Sequence, residues 1–393
     1  MFDFYEFFAG GGMARTGLAQ GWRCLFANDV DEKKAAAYQA NFSDASELTV
    51  CDVALLRVDD LPGVADLAWA SFPCQDLSLA GQRGGLDAER SGAFWPFWRL
   101  MQGLMSESRA PSLIVLENVC GALTSHDGQD FMAIAEAFTE AGYYFGAVVV
   151  DAVYFLPQSR PRLFIIGVRA DMPIPAEIKS PTPHALWHPT AVRQRVAQFS
   201  SIVRHHWIWW RLPVPPTRII TFADMIESEP QNINWHTPEE THRLLNLMSE
   251  INRAKVSMAQ ATGRLMVGGM YKRTRNGMQR AEVRFDDVAG CLRTPSGGSS
   301  RQTILIVEGA DIRSRLLSPR EAARLMGLPE SYRLPEKYND AYHLIGDGLA
   351  VPVIRHLAKN IFEPLLFYSQ LLNTARIRSA SQSFAEHIPA YIS

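Results

Sequence analysis

Short apolar runs alternate with helix-like stretches through residues 1–170. Six runs have the length and composition of buried strands: 2–8, 24–27, 67–70, 113–116, 146–150 and 163–167. This alternation predicts a doubly wound, Rossmann-like α/β sheet. Such sheets bind ligands beyond the carboxyl ends of their strands, and four polar or glycine-rich clusters follow runs of this kind: 9–12, 28–31, 71–78 and 117–119.

The pattern changes after Arg169, where prolines and tryptophans accumulate without a clear period. We expect a second, smaller domain of irregular architecture there. Residues 236–260 read as one helix with Thr237 as N-cap and Pro238 in its first turn, and Ser318 followed by Pro319 repeats this start signal. The predicted organisation is a first domain over 1–170, a small domain over 171–335 and a C-terminal segment, 336–393, that returns to the first domain.

Length and composition narrow the class of protein. A chain of 393 residues is long for one compact core. It has no apolar run long enough for a membrane span and no basic region of a signal peptide at its start, so we expect a cytoplasmic protein without membrane contact. Its five cysteines are scattered and odd in number, without metal-ligand spacing, so neither disulfides nor a metal site is expected.

The net charge of −2 argues against a polyanion as binding partner. This objection weakens when the charge is counted separately for each region of the chain. Residues 1–170 carry −9, residues 171–310 carry +5 and residues 311–393 carry +2. Within 261–305, eight Arg and Lys residues accompany three acidic ones. This stretch can neutralise phosphates, although a solvated loop surface has the same composition.

The first chemical cluster is the glycine loop at 8–13 (FAGGGM), between a predicted strand and a predicted helix. Glycines there let a ligand approach the backbone. Asp29 follows the second strand, where a carboxylate can accept both ribose hydroxyls, and Asp52 is suited to an adenine amino group. These features favour a nucleoside cofactor, while the loop alone also fits a dinucleotide oxidoreductase or a tight turn.

Three further clusters supply reactive groups. Cys74 stands between Pro73 and polar residues just past a strand, where a nucleophile is favoured over a small core residue. Glu117 ends an apolar run that can raise its pKa and make it a proton donor, or it caps a helix or joins an ion pair. Arg160 and Arg162 form a fork before another strand, able to bind a base carbonyl or the glutamate, with a surface loop as the alternative.

In this order the four clusters resemble the DNA (cytosine-5-)-methyltransferase family of bacterial or phage type, whose signature contains Phe-x-Gly-x-Gly, Pro-Cys, Glu-Asn-Val and Gln-x-Arg-x-Arg. Two later segments, 315–321 (RLLSPRE) and 346–352 (GDGLAVP), look like further motifs of the family, so the resemblance covers nearly the whole chain. Three departures stand out: Met13 replaces a glycine, Glu6-Phe7 replaces Asp-Leu, and Asp347 replaces Asn.

The resemblance implies methyl transfer from S-adenosylmethionine (AdoMet) to C5 of a flipped-out cytosine, leaving S-adenosylhomocysteine. Cys74 would attack C6, Glu117 would act at N3 and Arg162 at O2, and Arg160, Gln75 and Asn118 would complete the catalytic site. The residues that would bind the cofactor are Phe8, Gly10, Gly12, Asp29, Val30, Asp52, Val53, Asp347 and Gly348.

The same resemblance assigns sequence reading to the region between the arginine fork and Arg315. The residues expected to contact double-stranded DNA are Ser78, Arg90, Lys272, Arg273, Arg275, Arg293, Ser299 and Arg301. We further expect a monomer, associated with the nucleoid, that serves beside a cognate restriction endonuclease or a defence system.

Three other interpretations remain open. A tRNA-methylating branch of the family shares the Pro-Cys and Glu-Asn-Val parts, but its variable region is short. A flavin or nicotinamide oxidoreductase explains the glycine loop and leaves Cys74 and Glu117 unexplained. A catalytically dead DNA-binding relative is disfavoured because Cys74, Glu117 and Arg162 are all present.

Overall fold

A computed structural model describes residues 1–42, 45–73, 92–275, 277–292 and 301–386. Of the predicted site residues, Cys74, Gln75, Ser78, Arg90, Arg293 and Ser299 lie outside the described residues, and Arg275 is described for its backbone alone. No helix within the described ranges is both long enough and apolar enough to cross a membrane.

A seven-stranded sheet forms the centre of the molecule, in the order β3-β2-β1-β4-β5-β7-β6. Strands β1 to β5 run parallel, and β7 is antiparallel to both β5 and β6. The strands are β1 (Phe2–Phe7), β2 (Trp22–Asp29), β3 (Leu48–Val50), β4 (Leu67–Ala70), β5 (Leu113–Val119), β6 (Tyr143–Asp151) and β7 (Pro161–Arg169). All six predicted strands are present; β3 was missed because it is short and lies at the sheet edge, partly exposed.

Helices cover both faces of this sheet, which confirms the doubly wound prediction. Side chains alternate across β1, so Phe2 and Phe4 join one apolar cluster while Tyr5 and Phe7 join the other. The helices that contribute to these two clusters include α1 (Met13–Leu18), α2 (Glu32–Asn41), α3 (Phe94–Ser106), α4 (Gln129–Glu140), α5 (Thr190–Ala197) and α6 (Ser201–His205).

The proline- and tryptophan-rich segment packs against the edge of the large sheet. It contains two short strands, β8 (Lys179–Ser180) and β9 (Trp209–Trp210). Trp207 lies edge-on to Phe145 of β6, with ring centroids 5.3 Å apart, and Trp210 is fully buried. These tryptophans therefore belong to the apolar core beside β6.

The small domain is more regular than its sequence indicated. Its strands β10 (Leu265–Arg275), β11 (Met278–Arg284), β12 (Thr303–Glu308) and β13 (Asp311–Leu316) form an antiparallel sheet in the order β11-β10-β12-β13. The predicted helix over 236–260 is two helices, α7 (Pro238–Asn246) and α8 (Glu250–Ala261). They separate because Met248 bridges to Ala281 of β11, where the Ala281 amide donates to the carbonyl of Leu247.

Both predicted helix starts are confirmed. Thr237 and Glu240 form a capping box at α7, and Ser318 and Glu321 form one at α9 (Pro319–Leu325). The chain then continues through α10 (Tyr338–Asp347), α11 (Val351–Leu357) and α12 (Glu363–Glu386), and α11 packs on α1 beside the glycine loop. The apolar cluster of the small domain extends from Leu244 to Ile312, inside the limits of 171 and 335 that remain a prediction.

Candidate active site

The glycine loop leaves β1 with an unusual backbone turn. Phe8 has φ of 57° and Gly10 has φ of 55°, both in the left-handed region. A Cβ on Gly10 would meet no atom within 4 Å, so this residue faces open space. Gly12 differs, because a Cβ there would lie 2.3 Å from the Phe42 ring. The loop can therefore accept a ligand at Gly10, while Gly12 serves close packing of the protein.

Asp29 holds the glycine loop against the end of β2. Its two carboxylate oxygens accept the amides of Gly10 at 2.7 Å and Asp31 at 2.8 Å. One lone pair on each oxygen is left for a ligand hydroxyl. Beside it Val30 is 66% exposed, as suits a residue that covers a flat ring. The predicted ribose contact at Asp29 is thus sterically and chemically available.

The loop after β3 lies beside the glycine loop and the end of β2, at the same edge of the sheet. The amide of Cys51 donates to the carbonyl of Asp29 at 3.1 Å, which brings Asp52 beside the end of β2. One carboxylate oxygen of the exposed Asp52 accepts the amide of Ala54 at 2.9 Å, and Val53 is buried beneath it. Asp52 keeps its second oxygen for an amino group.

Two departures from the family pattern meet in the structure. Gly348 packs so closely on Met13 that a Cβ would lie 2.2 Å from its sulfur, and the amide of Leu349 donates to that sulfur at 3.3 Å. Asp347 forms an ion pair with Lys34 at 2.8 Å. Sequence reasoning did not single out Lys34, because a lysine on a helix carries no motif by itself.

A second feature that sequence reasoning left unused is the buried carboxyl of Glu6. Burial raises its pKa to about 8, against opposing contributions from Arg15, whose amide donates to it at 3.4 Å. No partner for its second oxygen occurs among the described residues. Glu6 is therefore a neutral acid beneath the glycine loop near neutral pH.

Glu117 and Arg162 meet at the adjoining ends of β5 and β7. The antiparallel register places Val119 opposite Arg162, and Arg162 Nε lies 3.3 Å from Glu117 Oε1. Burial raises the pKa of Glu117, although the charges of Arg162 and Arg160 act in the opposite direction. The predicted carboxyl and one arm of the arginine fork are thus together in one partly enclosed site.

Asn118 connects this pair to the segment that leads into Cys74. Its Nδ2 donates to the carbonyl of Phe72 at 3.0 Å, and its Oδ1 accepts the amide of Val119 at 2.8 Å. Ser71 contributes from the same segment, where its hydrogen bond lowers the pKa of Glu117. Ser71 was overlooked as a site residue because serines are common in loops.

Arg160 has a different position from its neighbour in the fork. Its guanidinium is buried and donates to three main-chain carbonyls: Leu292 at 3.0 Å, Gly346 at 2.8 Å and Gly348 at 2.6 Å. Burial lowers its pKa to about 10, so it stays charged at neutral pH. The fork is therefore divided, with Arg162 at Glu117 and Arg160 between two distant segments of the chain.

The predicted DNA contacts that the structure describes lie on β10 and beside an open cavity. Arg273 is exposed, with Glu282 at 3.6 Å. Arg301 bonds Asn339 and stacks on the ring of Tyr338. It lines a cavity of about 700 Å³ between the two domains, which Lys33 and Lys337 also line. Asp340 lines the cavity as well and pairs with Lys33 at 2.9 Å, so Arg301 and Lys337 are the cationic lining residues outside that pair.

Comparison with known proteins decides the family. The model of a family described as C-5 cytosine-specific DNA methylase matches residues 2–363. The chain belongs to this family. The chain is therefore a DNA (cytosine-5-)-methyltransferase, and the predicted family and enzyme class are confirmed. Membership in a methyltransferase family also implies AdoMet as methyl donor.

Curated relatives of this methyltransferase extend over its length. It is 29% identical to the Type II methyltransferase M.HpaII of Haemophilus parainfluenzae, covering 93% of this chain and 90% of that one. It is 27% identical to the Type II methyltransferase M.Bsp6I of Bacillus sp., with 93% and 100% covered.

Solved structures support the fold alone. Entamoeba histolytica methyltransferase EhMeth gives a TM-score of 0.60 at 14% identity, with 93% of this chain and 99% of that chain covered. S. pombe Dnmt2 methyltransferase gives 0.57 at 16% identity, with the same coverage. The predicted α/β methyltransferase fold is confirmed.

Proposed function

We propose that this methyltransferase modifies C5 of a cytosine in a specific double-stranded DNA sequence, through a covalent bond between Cys74 Sγ and C6 of the flipped-out base. The observation that carries the proposal is the Glu117–Arg162 pair, 3.3 Å apart and largely buried. Asn118, beside it, is bonded to Phe72, two residues before Cys74. A carboxyl and a guanidinium so placed match N3 and O2 of one cytosine ring.

Each group has a defined part in the reaction. C5 of cytosine is a weak nucleophile until the Cys74 thiolate adds to C6. Glu117 gives a proton to N3 as the thiolate adds, and its raised pKa favours the protonated form that this step requires. Arg162 stabilises charge at O2. Once C5 is methylated, its proton leaves to a solvent base and Cys74 is expelled as thiolate, while the N3 proton returns to Glu117, so that the aromatic ring is restored and the enzyme regenerated.

AdoMet supplies the methyl group as an electrophilic carbon on a sulfonium. The open face at Gly10, the free lone pairs of Asp29 and the exposed Val30 and Asp52 fit a nucleoside. We assign the ribose to Asp29, the adenine amine to Asp52 and the adenine faces to Phe8 and Val30. The remaining cofactor contacts are assigned to Gly12, Val53, Asp347 and Gly348.

The DNA contacts are proposed on charge and position. Arg273 and Arg301 present cations on the small domain and on the cavity wall, which suits phosphates. Ser78 and Arg90 are assigned to phosphates around the flipped base, and Gln75 to the catalytic loop. Because the relatives are Type II methyltransferases, we propose that the protein acts together with a restriction endonuclease or a defence system. We propose that it does so as a monomer in the cytoplasm.

The test is covalent trapping on DNA that contains 5-fluorocytosine. Bisulfite sequencing of DNA from a methylation-free host expressing the protein first identifies the site. On a duplex with 5-fluorocytosine at that site, methyl transfer proceeds, but fluorine cannot leave as a cation, so Cys74 stays bonded to C6. We expect a protein–DNA adduct that survives denaturation and requires AdoMet.

Controls separate the alternatives. Cys74→Ala should form no adduct while it still binds AdoMet. An adduct on fluorinated RNA in place of DNA would indicate the tRNA-methylating branch. Absence of any adduct on DNA proven to carry the methylated site would refute the covalent mechanism.

A further inference from the structure

Arg160 is buried to an extent that is rare for arginine, with 2% of its surface exposed. Its Nη1 donates to the carbonyl of Leu292 at 3.0 Å, and its Nη2 donates to the carbonyls of Gly346 and Gly348 at 2.8 and 2.6 Å. Its charge acts on Glu117 only at a distance, and its guanidinium hydrogen bonds go to main-chain carbonyls and to Cys291 Sγ rather than to that carboxyl. It links two main-chain segments that are more than fifty residues apart in sequence.

The first segment belongs to the proposed cofactor pocket. Gly346 and Gly348 flank Asp347, and Gly348 is in close contact with Met13, which follows the glycine loop. If cofactor binding moves this segment, the carbonyls of Gly346 and Gly348 that accept from Arg160 Nη2 move with it. Both bonds are short and directed, so they respond to shifts well under an ångström.

The second segment belongs to the small domain. Leu292 is held from several sides by the loop that contains Arg160: its amide donates to Gln158 Oε1 at 3.4 Å, and the amide of Ser159 donates to the carbonyl of Ala289 at 2.9 Å. Tyr271 of β10 reaches the carbonyl of Cys291 at 3.3 Å. Residues 289–292 thus connect the Arg160 loop to the exposed sheet.

We propose that Arg160 is a positioning residue that couples occupation of the AdoMet pocket to the conformation of residues 289–292, and through them to the affinity for DNA. The inference rests on the proposed function. A guanidinium is planar and its donors are fixed relative to one another, so it cannot follow Gly348 without changing its angle at Leu292. A cofactor that holds Gly346 to Gly348 in one position therefore favours one position of Leu292.

The coupling is measurable as a ratio of two affinities. The dissociation constant for a duplex with the methylated site is measured without cofactor and with saturating S-adenosylhomocysteine, which cannot react. For the wild type we expect tighter DNA binding with S-adenosylhomocysteine, by a factor within the usual range of about 5 to 150. In Arg160→Lys, which keeps the charge but replaces the rigid guanidinium fork with an ammonium on a flexible stem, the ratio should fall close to one.

A matched control is Arg169→Lys at the other end of β7. Arg169 also donates to a main-chain carbonyl, that of Ala110 at 2.8 Å, but lies away from both segments. It should retain the wild-type ratio. General damage to the fold would weaken both affinities in Arg160→Lys and leave their ratio unchanged, so the ratio separates coupling from structural loss.

Should Arg160→Lys fail to fold, hydrogen exchange on the wild type answers the same question. S-adenosylhomocysteine alone, without DNA, should slow amide exchange in peptides that contain residues 289–292. A wild-type ratio in Arg160→Lys, or unchanged exchange at 289–292, would overturn the proposal. Failure of the proposed function looks different, because the wild type would then give no adduct with fluorinated DNA.

Discussion

At the scale of single residues, two acids near the glycine loop have opposite surroundings. Asp29 accepts two backbone amides at 2.7 and 2.8 Å. Glu6 is buried, with the amide of Arg15 at 3.4 Å and the backbone of Ala14 also acting on its carboxyl, and its neighbours include the carboxylate of Asp29. Burial with few hydrogen bonds favours the neutral acid, which is why the pKa of Glu6 is raised to about 8.

Glu6 makes the stability of the protein depend on pH. Its folded-state pKa of about 8 lies above the ordinary value of 4.5, so its contribution is full at acidic pH and is lost as pH rises through about 8. We expect Glu6→Gln, which mimics the neutral acid, to match the wild type near pH 5. At pH 9 it should be more stable by a few kcal/mol.

Urea unfolding at the two pH values, without cofactor, measures this difference. The exposed Glu336→Gln is the control and should show the wild-type change between the two pH values. An equal loss of stability in Glu6→Gln and wild type on going from pH 5 to pH 9 would contradict the assignment.

At the scale of elements, β10 presents its basic residues on two faces. Met270 belongs to the cluster under α8, while Tyr271 points toward residues 289–292. Because side chains alternate along a strand, Lys272 lies on the helix-covered face and Arg273 on the open one. The two basic residues Lys272 and Arg273 therefore belong to different surfaces, which the composition of the stretch could not show.

The two faces predict unequal effects on DNA binding. Arg273→Ala should weaken binding and reduce the slope of log affinity against log salt by about one, the amount for one phosphate contact. Lys272→Ala should change the slope less, and neither variant should change AdoMet affinity. Titrations of labelled duplex at several salt concentrations measure both slopes, with Lys272→Ala as the matched control. A larger effect from Lys272→Ala would mean that DNA approaches the other face.

At the scale of the whole molecule, segments from the first and last parts of the chain meet at the proposed cofactor pocket. Tyr332 donates to the carbonyl of Gly11 at 2.7 Å, Lys34 pairs with Asp347, and α11 packs on α1. At Gly17 of α1 a Cβ would lie 2.6 Å from Cβ of Ile354, so the helices touch backbone to side chain. The C-terminal segments thus hold the glycine loop in place through their contacts with Gly11 and α1.

The contact between Gly17 and Ile354 predicts that Gly17→Ala has the opposite effect on stability from Gly→Ala in an isolated helix. In an isolated helix Gly→Ala stabilises by about 1 kcal/mol, but Gly17→Ala should destabilise the protein and weaken AdoMet binding, because α11 must move away. Thermal melts and AdoMet titrations measure both. Gly21→Ala, with no atom near its Cβ, should be tolerated, and the cost of Gly17→Ala should shrink in an Ile354→Ala background. An unchanged melting temperature in Gly17→Ala would contradict this packing.

Local sequence alone determined six of the seven strands of the large sheet and the starts of α7 and α9. Apolar period, glycine placement and cap residues act within a few positions of the chain, so their physics is visible in the sequence. The same holds for the motif residues of the site, since each lies within a strand or close to the end of one. The order of these motifs was sufficient to predict the family before any fold was known.

Tertiary structure alone decided how these parts are used. The division of the arginine fork, the buried Glu6, the pairing of Lys34 with Asp347 and the break between α7 and α8 each depend on a partner far along the chain. A side chain's burial and its hydrogen-bond partners are set by segments that fold against it from elsewhere, and the sequence around it does not record them. That is why Arg160 and Arg162, two positions apart, are similar in the sequence and have different positions in the fold.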